Sequence, residues 1–277
     1  MIALLVIVAV AINVPILSDT AEAATMPAAS FPKGLLAADG HADIKEVPYQ
    51  AIIIYRDRPI CGGAIISEHH ILTAAHCLLW GPSEYQVRLG SNLRDHEGSL
   101  HDIREHRLHE LYYEDRDYQA SPRKVPVNDL AIIELSESID FDYRRQAIKL
   151  YDYMEDVGVG AEALVTGWYV YKHNFSAEHL TTKVVQTLDM SLCNKAYEDI
   201  GGVPAGQICA GYPGSPGRTG CLGDSGGPLV VNGRLAGILS WGNGCMKARY
   251  PGLYTEIAYY RDWIERKGRD QYSLWTP

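Results

Sequence analysis

The chain contains the stretch Gly223-Asp224-Ser225-Gly226-Gly227-Pro228, in which a serine stands between glycines and directly behind a carboxylate. Glycines leave a serine hydroxyl unshielded and allow neighbouring backbone N–H groups to converge on one point. This arrangement suits a serine that attacks a carbonyl carbon. Because a serine hydroxyl alone is a poor nucleophile, the interpretation requires a base and an orienting acid elsewhere in the chain.

Two further stretches supply those groups. Thr73-Ala74-Ala75-His76-Cys77 places a histidine among small residues, and Val127-Asn128-Asp129-Leu130 places an aspartate at the start of an apolar run. Each signal alone is weak, because single histidines and aspartates in such places are more often structural. With Ser225 they predict a triad in which Ser225 attacks, His76 takes and returns the proton, and Asp129 fixes the histidine tautomer.

The order of the three residues separates two classes of hydrolase. Gly223 to Gly227 also matches G-x-S-x-G, the nucleophile turn of α/β-hydrolases, which place their histidine after the serine. The last histidine of this chain is His179, so none follows Ser225. This order argues against an esterase or lipase.

Composition bounds the fold class. The 277 residues include 26 glycines, and 47% of them are hydrophobic, which fits a globular, turn-rich protein. The net charge of −9 argues against nucleic acid as a partner, because polyanions require a basic surface. Short apolar runs separated by glycine, proline and asparagine predict an all-β antiparallel protein, with Asn232-Gly233 as a hairpin turn. The predicted strands are 51–55, 63–66, 85–89, 130–135, 163–166, 228–231, 235–239 and 252–255.

One helix is predicted from Glu256 to Lys267, where Ile257, Tyr260 and Ile264 recur at helical spacing. The charged, tyrosine-rich stretch from Glu105 to Lys124 is interpreted as an exposed insertion. The neighbouring histidines lack a metal-binding motif, so a charged exposed loop explains them better than a metal site. These histidines are His101, His106 and His109.

The N-terminal residues 1–23 are interpreted as a signal peptide. Met1 to Leu17 is nearly continuous apolar sequence, too short and too broken for a good membrane span, and Ala21-Glu22-Ala23 offers a cleavage site. No Lys or Arg lies near Met1, and an N-terminal anchor remains the alternative. Residues 24–35 are interpreted as a propeptide or linker. The chain is therefore expected to be secreted and extracellular, with no membrane association in its mature form.

Six cysteines follow the predicted signal peptide. An even number in an exported chain predicts complete pairing into disulfides, although spacing alone leaves the pairing open. No C-x-x-C occurs, which argues against a zinc ribbon or a redox site. Neither a metal nor another cofactor is predicted. The cysteines are Cys61, Cys77, Cys193, Cys209, Cys221 and Cys245.

The chain resembles the chymotrypsin-like (trypsin-superfamily) serine proteases. The resemblance extends from Leu36 to about Lys267, and its combination of motifs is highly specific. It implies two six-stranded antiparallel β-barrels with the active site between them, a barrel boundary near 150–160, and a C-terminal helix. The matching stretches are 47–50, 61–63, 73–77, 128–131, 166–168, 223–228, 240–242 and 251–254.

The resemblance also implies residue roles. The protease domain would comprise residues 36–270, with 271–277 as a tail, and it would be a monomer that acts on proteins or peptides and meets proteinaceous inhibitors. The backbone N–H groups of Gly223 and Ser225 would form the oxyanion hole. The disulfides would be Cys61–Cys77, Cys193–Cys209 and Cys221–Cys245.

Family analogy places the substrate pocket as well. Thr219 would lie at its base, where trypsin-like members carry an aspartate that pairs with Arg or Lys. An uncharged base predicts a chymotrypsin-like preference for aromatic or long apolar side chains. The alternative is that Thr219 only packs and that specificity is broad. The other pocket residues would be Gly220, Leu222, Ser240, Trp241, Gly242 and Gly252.

The activation segment departs from the family. Members usually begin Ile-Val-Gly-Gly after an Arg or Lys, and the new amino group pairs with the residue that corresponds to Asp224. Here the aligned residues are Leu36-Ala37-Ala38-Asp39, preceded by Leu35. Two hypotheses follow: a secreted endopeptidase activated by an unusual cut before Leu36, and a protease homologue that acts mainly by binding. Separately, Asn174-Phe175-Ser176 predicts N-glycosylation.

Overall fold

A computed structural model of the protein describes residues 40–114, 125–168, 178–212, 224–242 and 250–269. The predicted signal peptide, propeptide and C-terminal tail lie outside these ranges and stay predictions. Several predicted site residues also lie outside them. They are Leu36, Asn174, Thr219, Gly220, Cys221, Leu222, Gly223 and Cys245.

Six strands of the N-terminal half close into a barrel. Each pairs antiparallel with its neighbours, and the first and last strands in the order β2-β3-β4-β7-β6-β5 pair with each other. Fully buried Ile53, Ile65, Ile71 and Ile133 lie in this core. The short strand β1 precedes the barrel. The strands are β1 (Gly40–His41), β2 (Gln50–Tyr55), β3 (Arg58–Ile65), β4 (His70–Thr73), β5 (Tyr85–Leu89), β6 (Ser99–Leu108) and β7 (Ala131–Leu135).

The C-terminal half forms a second closed, antiparallel six-stranded barrel in the order β9-β10-β11-β14-β13-β12. Strand β1 pairs with β10, and β8 pairs in parallel with β13. The predicted fold class, two six-stranded barrels with a C-terminal helix, is confirmed. The elements are β8 (Lys149–Leu150), β9 (Glu162–Gly167), β10 (Thr181–Thr187), α1 (Met190–Ala196), β11 (Gln207–Gly211), β12 (Pro228–Val231), β13 (Arg234–Trp241), β14 (Gly252–Glu256) and α2 (Ile257–Lys267).

The predicted hairpin turn joins β12 to β13. Asn232 and Gly233 have φ of +49° and +71°, and Val231 pairs with Arg234. Two successive residues with positive φ match the right-handed twist of the flanking strands, which is why Asn-Gly is favoured here.

Helix α2 follows the second barrel and packs against residues of both barrels. Its buried residues Tyr260, Trp263 and Ile264 belong to a core cluster that includes most buried residues of the first barrel and several of the second, and its Ala258 belongs to the core of the second barrel. The Trp263 indole N–H donates to Glu110 at 2.8 Å, and Lys267 forms an ion pair with the same carboxylate. These contacts, the Lys267 hydrogen bond above all, lower the pKa of Glu110 to about 2. The helix therefore ties the two barrels together.

No helix in the described ranges is long and apolar enough to cross a membrane.

The prediction of an exposed insertion from Glu105 to Lys124 was wrong at its start. Residues 105–108 form the end of β6, which pairs with β5 and β7 inside the first barrel. His101 and His106 lie on this strand rather than in a loop. Every residue of β6 except Ile103 is partly or fully exposed, so the strand lacks a clear alternation of apolar and polar side chains, and pairing with two neighbours places it in the barrel.

The described cysteines form two disulfides, Cys61–Cys77 and Cys193–Cys209. Both are among the pairs that the family resemblance implied. The remaining pair, Cys221–Cys245, lies outside the described residues. Cys193 belongs to α1, which the sequence analysis did not predict, although Asp189 caps the helix by accepting the Ser191 N–H at 2.7 Å.

Candidate active site

His76 and Asp129 meet because they flank neighbouring strands. Thr73, at the end of β4, pairs with Ala131, at the start of β7, so the residues just beyond this pair lie at one end of the barrel. His76 sits in a 3₁₀ turn, Ala75–Cys77, directly after β4. Its Nδ1 lies 2.8 Å from Asp129 Oδ2, and its backbone N–H donates to Asp129 Oδ1 at 2.9 Å.

This double contact fixes the histidine chemically. A carboxylate can only accept hydrogen bonds, so Nδ1 carries the proton and Nε2 becomes the nitrogen that can receive one. The Asp129 side chain is fully buried, whereas 21% of the His76 side chain is exposed. A base that reaches solvent, held by a buried acid, can move protons to and from a bound molecule.

The second barrel completes the surroundings of Asp129. Ser240 in β13 donates its hydroxyl to Asp129 Oδ2 at 2.7 Å, and Thr255 in β14 donates to the Asp129 carbonyl at 2.8 Å. A buried carboxylate needs such donors, because without them its charge would lie unpaired in the protein interior. The sequence analysis placed Ser240 only among the substrate-pocket residues. Its contact with Asp129 shows that it also positions the acid.

Asn128 holds the backbone before Asp129 in an unusual conformation. Its φ is +53°, in the left-handed region that asparagine tolerates better than most residues. The Tyr260 hydroxyl of α2 donates to its side-chain oxygen at 2.8 Å, and its amide donates to the Leu111 carbonyl at 2.7 Å. The sequence analysis assigned no role to Asn128 and placed Tyr260 only on the apolar face of the C-terminal helix. In the structure, Tyr260 holds Asn128, and Asn128 fixes the backbone that carries Asp129.

Ser225 lies in a tight turn before β12 that contacts the first barrel. The Gly62 N–H donates to the Ser225 carbonyl at 2.8 Å, and the Gly226 N–H donates to the Leu239 carbonyl at 2.7 Å. Gly62 follows Cys61, which is bonded to Cys77 beside His76. One disulfide and one backbone hydrogen bond therefore link the serine turn to the histidine turn, although the two are far apart in sequence.

Position 226 requires glycine because of its backbone conformation and because no space is left for a side chain. Its φ is +77°, and a Cβ at this position would lie 2.2 Å from Thr73 Oγ1 and 2.7 Å from the Gly62 carbonyl oxygen. The Thr73 hydroxyl already donates to that carbonyl at 2.8 Å, so neither atom is free to withdraw. The glycine next to Ser225 thus allows the two barrels to approach.

The Gly226→Ala variant is expected to lose about 3 kcal/mol of unfolding free energy, since strain at positive φ adds to an overpacked contact. Urea unfolding would measure the loss. Gly81→Ala is the matched control, because Gly81 has φ of −64° and a Cβ there would meet no atom of the described residues within 4 Å. Its stability should change by about 0.5 kcal/mol or less. Equal stabilities of the two variants would contradict the steric argument.

Asp224 places a second, partly buried acid beside Ser225. Its Oδ2 accepts the Trp168 backbone N–H at 2.7 Å. Burial raises the pKa of Asp224, and the Trp168 hydrogen bond and the Arg94 charge oppose this shift only in part. The site therefore suits a cationic partner. The partner predicted from the sequence, the amino group of Leu36, lies outside the described residues.

The described pocket residues lie on two paired strands. Ser240 and Trp241 end β13, Gly252 begins β14, and Trp241 pairs with Leu253. Among the residues that the structure describes, none places an atom within 4 Å of a Cβ built on Gly242. These residues form the part of the candidate pocket that the structure describes.

A metal role for the site finds no support in its donor set. Within the described ranges, one group of three ligand-type atoms lies close together, from Cys61, His76 and Cys77. The two cysteines are joined in a disulfide, so neither offers a thiolate.

Comparisons with known proteins agree with this geometry. The Trypsin family model matches residues 40–264. A trypsin of Simulium vittatum is 40% identical over 220 residues, covering 76% of this chain and 84% of that protein. The vitellin-degrading protease of Bombyx mori is 33% identical over 224 residues, covering 80% and 81%. A solved structure of neuropsin, a serine protease expressed in the limbic system of mouse brain, superposes with a TM-score of 0.70 at 29% identity, covering 83% of this chain and 98% of that one.

Proposed function

The chain belongs to the trypsin family and is a serine protease, and from this premise we propose that it is a secreted endopeptidase whose nucleophile is Ser225. The observation that carries the proposal is the double hydrogen bond between His76 and the fully buried Asp129. Such a pair has little structural purpose on a barrel rim, whereas a general base needs one fixed tautomer.

The proposed reaction has two stages. His76 Nε2 takes the Ser225 hydroxyl proton as Oγ bonds to the substrate carbonyl carbon, and the same proton then goes to the leaving amine as the peptide bond breaks. In the second stage, water attacks the acyl carbon and gives its proton to His76. The proton then goes to Ser225 Oγ as the acyl group leaves as a carboxylic acid. Asp129 stabilises the transient imidazolium, and the backbone N–H groups of Gly223 and Ser225 stabilise the oxyanion.

Activation is proposed to depend on Asp224. A cut between Leu35 and Leu36 would create an amino group that pairs with this partly buried carboxyl, whose pKa desolvation already raises. Leaving such a charge buried and unpaired costs on the order of 3–5 kcal/mol, so pairing would decide whether the neighbouring Ser225 turn is properly arranged. Leucine replaces isoleucine in a buried slot at modest cost.

N-terminal sequencing combined with a serine-directed phosphonate tests this proposal. Protein that begins at Leu36 is expected to take up the label, and full-length precursor is not. His76→Ala should abolish labelling of the cleaved protein. A cleaved protein that begins at Leu36 and stays unlabelled would instead support the binding homologue.

Ser240→Ala is expected to lower kcat/KM about tenfold with little change in KM, because Asp129 loses one of its donors, a charged hydrogen bond worth about 1.5 kcal/mol. Steady-state kinetics on a peptide substrate would measure it. Ser136→Ala is the control, since Ser136 is exposed and remote from Asp129. A Ser240 variant as active as this control would show that the hydroxyl does not support the acid.

The P1 preference is proposed to be apolar. With Thr219 at the pocket base, an Arg or Lys side chain would lack a charged partner worth about 2 kcal/mol, so Phe, Tyr or Leu at P1 should give about 30-fold higher kcat/KM than Arg. Matched peptides that differ only at P1 would measure the ratio. Thr219→Asp should shift the preference towards Arg. Faster cleavage after Arg by the unaltered protein would refute the assignment.

The remaining proposals concern the cell. Residues 1–23 would direct export, and Asn174 would carry a glycan. The mature protein would be an extracellular monomer that acts on protein or peptide substrates and is open to proteinaceous inhibitors.

A further inference from the structure

Two histidines far apart in sequence face each other at the start of the described domain. His41 ends β1, where it pairs with Thr181 of β10, and the pairing continues as the Ala42 N–H donates to the Leu180 carbonyl at 2.9 Å. His179 is two residues before Thr181, so it occupies the diagonal position on the same face as His41. Both histidines are exposed.

The two imidazole rings form a close edge-to-face pair. Their centroids are 5.2 Å apart, and their planes are at 83°. Two imidazoles bound to one ion through bonds of about 2.1 Å, at a near-tetrahedral angle, have centroids about 5 Å apart. The distance between the two rings therefore matches the distance in a two-histidine chelate.

Two acidic residues adjoin the histidines in sequence. Asp43 lies two residues after His41, and Glu178 directly precedes His179. The nearest lysine along the chain, Lys45, places its ammonium over the Tyr143 ring at 5.4 Å. Imidazole nitrogens suit zinc, nickel and copper, whereas calcium and magnesium prefer oxygen ligands.

We propose that His41 and His179 form a chelating site for a divalent transition-metal ion, with water completing the coordination. The ion clamps β1, the first described strand, onto β10. Strand β10 is also connected to the Ser225 turn. Its residue Thr181 pairs with Gly167, and the backbone N–H of Trp168, which follows Gly167, donates to Asp224. The site is separate from the proposed catalytic residues and does not depend on the proposed reaction.

Calorimetric titration of the full chain with ZnCl₂, in protein without a polyhistidine tag, tests the site. His41→Asn and His179→Asn should each weaken zinc binding more than tenfold, and the double variant should weaken it little further, because one chelate is lost in all three. His69→Asn is the control, a partly exposed histidine in the turn that leads into β4, and should bind zinc like the unaltered chain. Binding that survives both substitutions, or that depends on only one histidine, would overturn the proposal.

A second measurement needs no variant. Saturating Zn²⁺ should protect His41 and His179 together from carbethoxylation, mapped by peptide mass spectrometry, and should leave the reactivity of His69 unchanged. Zinc should also raise the Tm of the unaltered chain, since a ligand that binds only the folded state stabilises it, whereas Mg²⁺ should not. Equal modification of the two histidines with and without zinc would overturn the proposal even if the variants failed to fold.

Discussion

Replacement of Asp129 by asparagine is expected to lower kcat by about four orders of magnitude. The carboxylate accepts from both the backbone N–H and Nδ1 of His76, and from the Ser240 hydroxyl. An amide keeps the shape of the carboxylate but adds a donor. If that donor turns towards His76, Nδ1 must accept, the ring proton moves to Nε2, and the base can no longer take a proton from Ser225.

Steady-state kinetics on a peptide substrate would measure the loss, and urea unfolding would show that the fold survives. Asp140→Asn is the matched control, because Asp140 is an exposed aspartate at which the same change should leave kcat unaltered. A loss of less than about tenfold in the Asp129 variant would mean that another group fixes the His76 tautomer.

The Ser225→Ala variant is expected to show the largest effect, a decrease in kcat of about 10⁶-fold. The substitution removes the only atom that forms the covalent bond in the proposed reaction. It leaves the turn intact, because the Gly62 and Gly226 hydrogen bonds on either side of it involve backbone atoms. Residual cleavage above the uncatalysed rate would come from substrate binding and the oxyanion hole.

Activity and phosphonate labelling should disappear together in this variant, while its Tm stays within a few degrees of that of the unaltered chain. Ser83→Ala, an exposed serine in the first barrel, is the control and should retain both properties. Cleavage by the Ser225 variant at an undiminished rate would place the nucleophile elsewhere and refute the proposed mechanism.

Neither barrel can form the candidate site alone. His76 and Asp129 come from the first barrel, while Ser225, Ser240 and Thr255 come from the second. Because Ser240 and Thr255 both donate to Asp129, the position of the acid depends on how the barrels are docked. Helix α2 reinforces that docking through the hydrogen bond from Tyr260 to Asn128.

The sequence predicted strands correctly where the strand residues are both apolar and buried. The apolar run at 130–135 contains β7, whose five residues are all buried, and Asn232-Gly233 marked the hairpin that joins β12 to β13. Strand β6 was missed because only one of its residues, Ile103, is buried, so it shows no run of apolar core residues. Its place in the barrel comes from backbone pairing with two neighbours, which side-chain pattern does not record.

The sequence by itself determined the local chemistry of this protein: the glycines around Ser225, the strands and the hairpin, and the order of His76, Asp129 and Ser225. These features depend on residue type and on short-range backbone preference, which the local sequence specifies. Only the tertiary structure decided that Ser240 and Tyr260 support the acid and that His41 faces His179. Such contacts join residues far apart in sequence, so they depend on strand register and barrel docking, which no local pattern specifies.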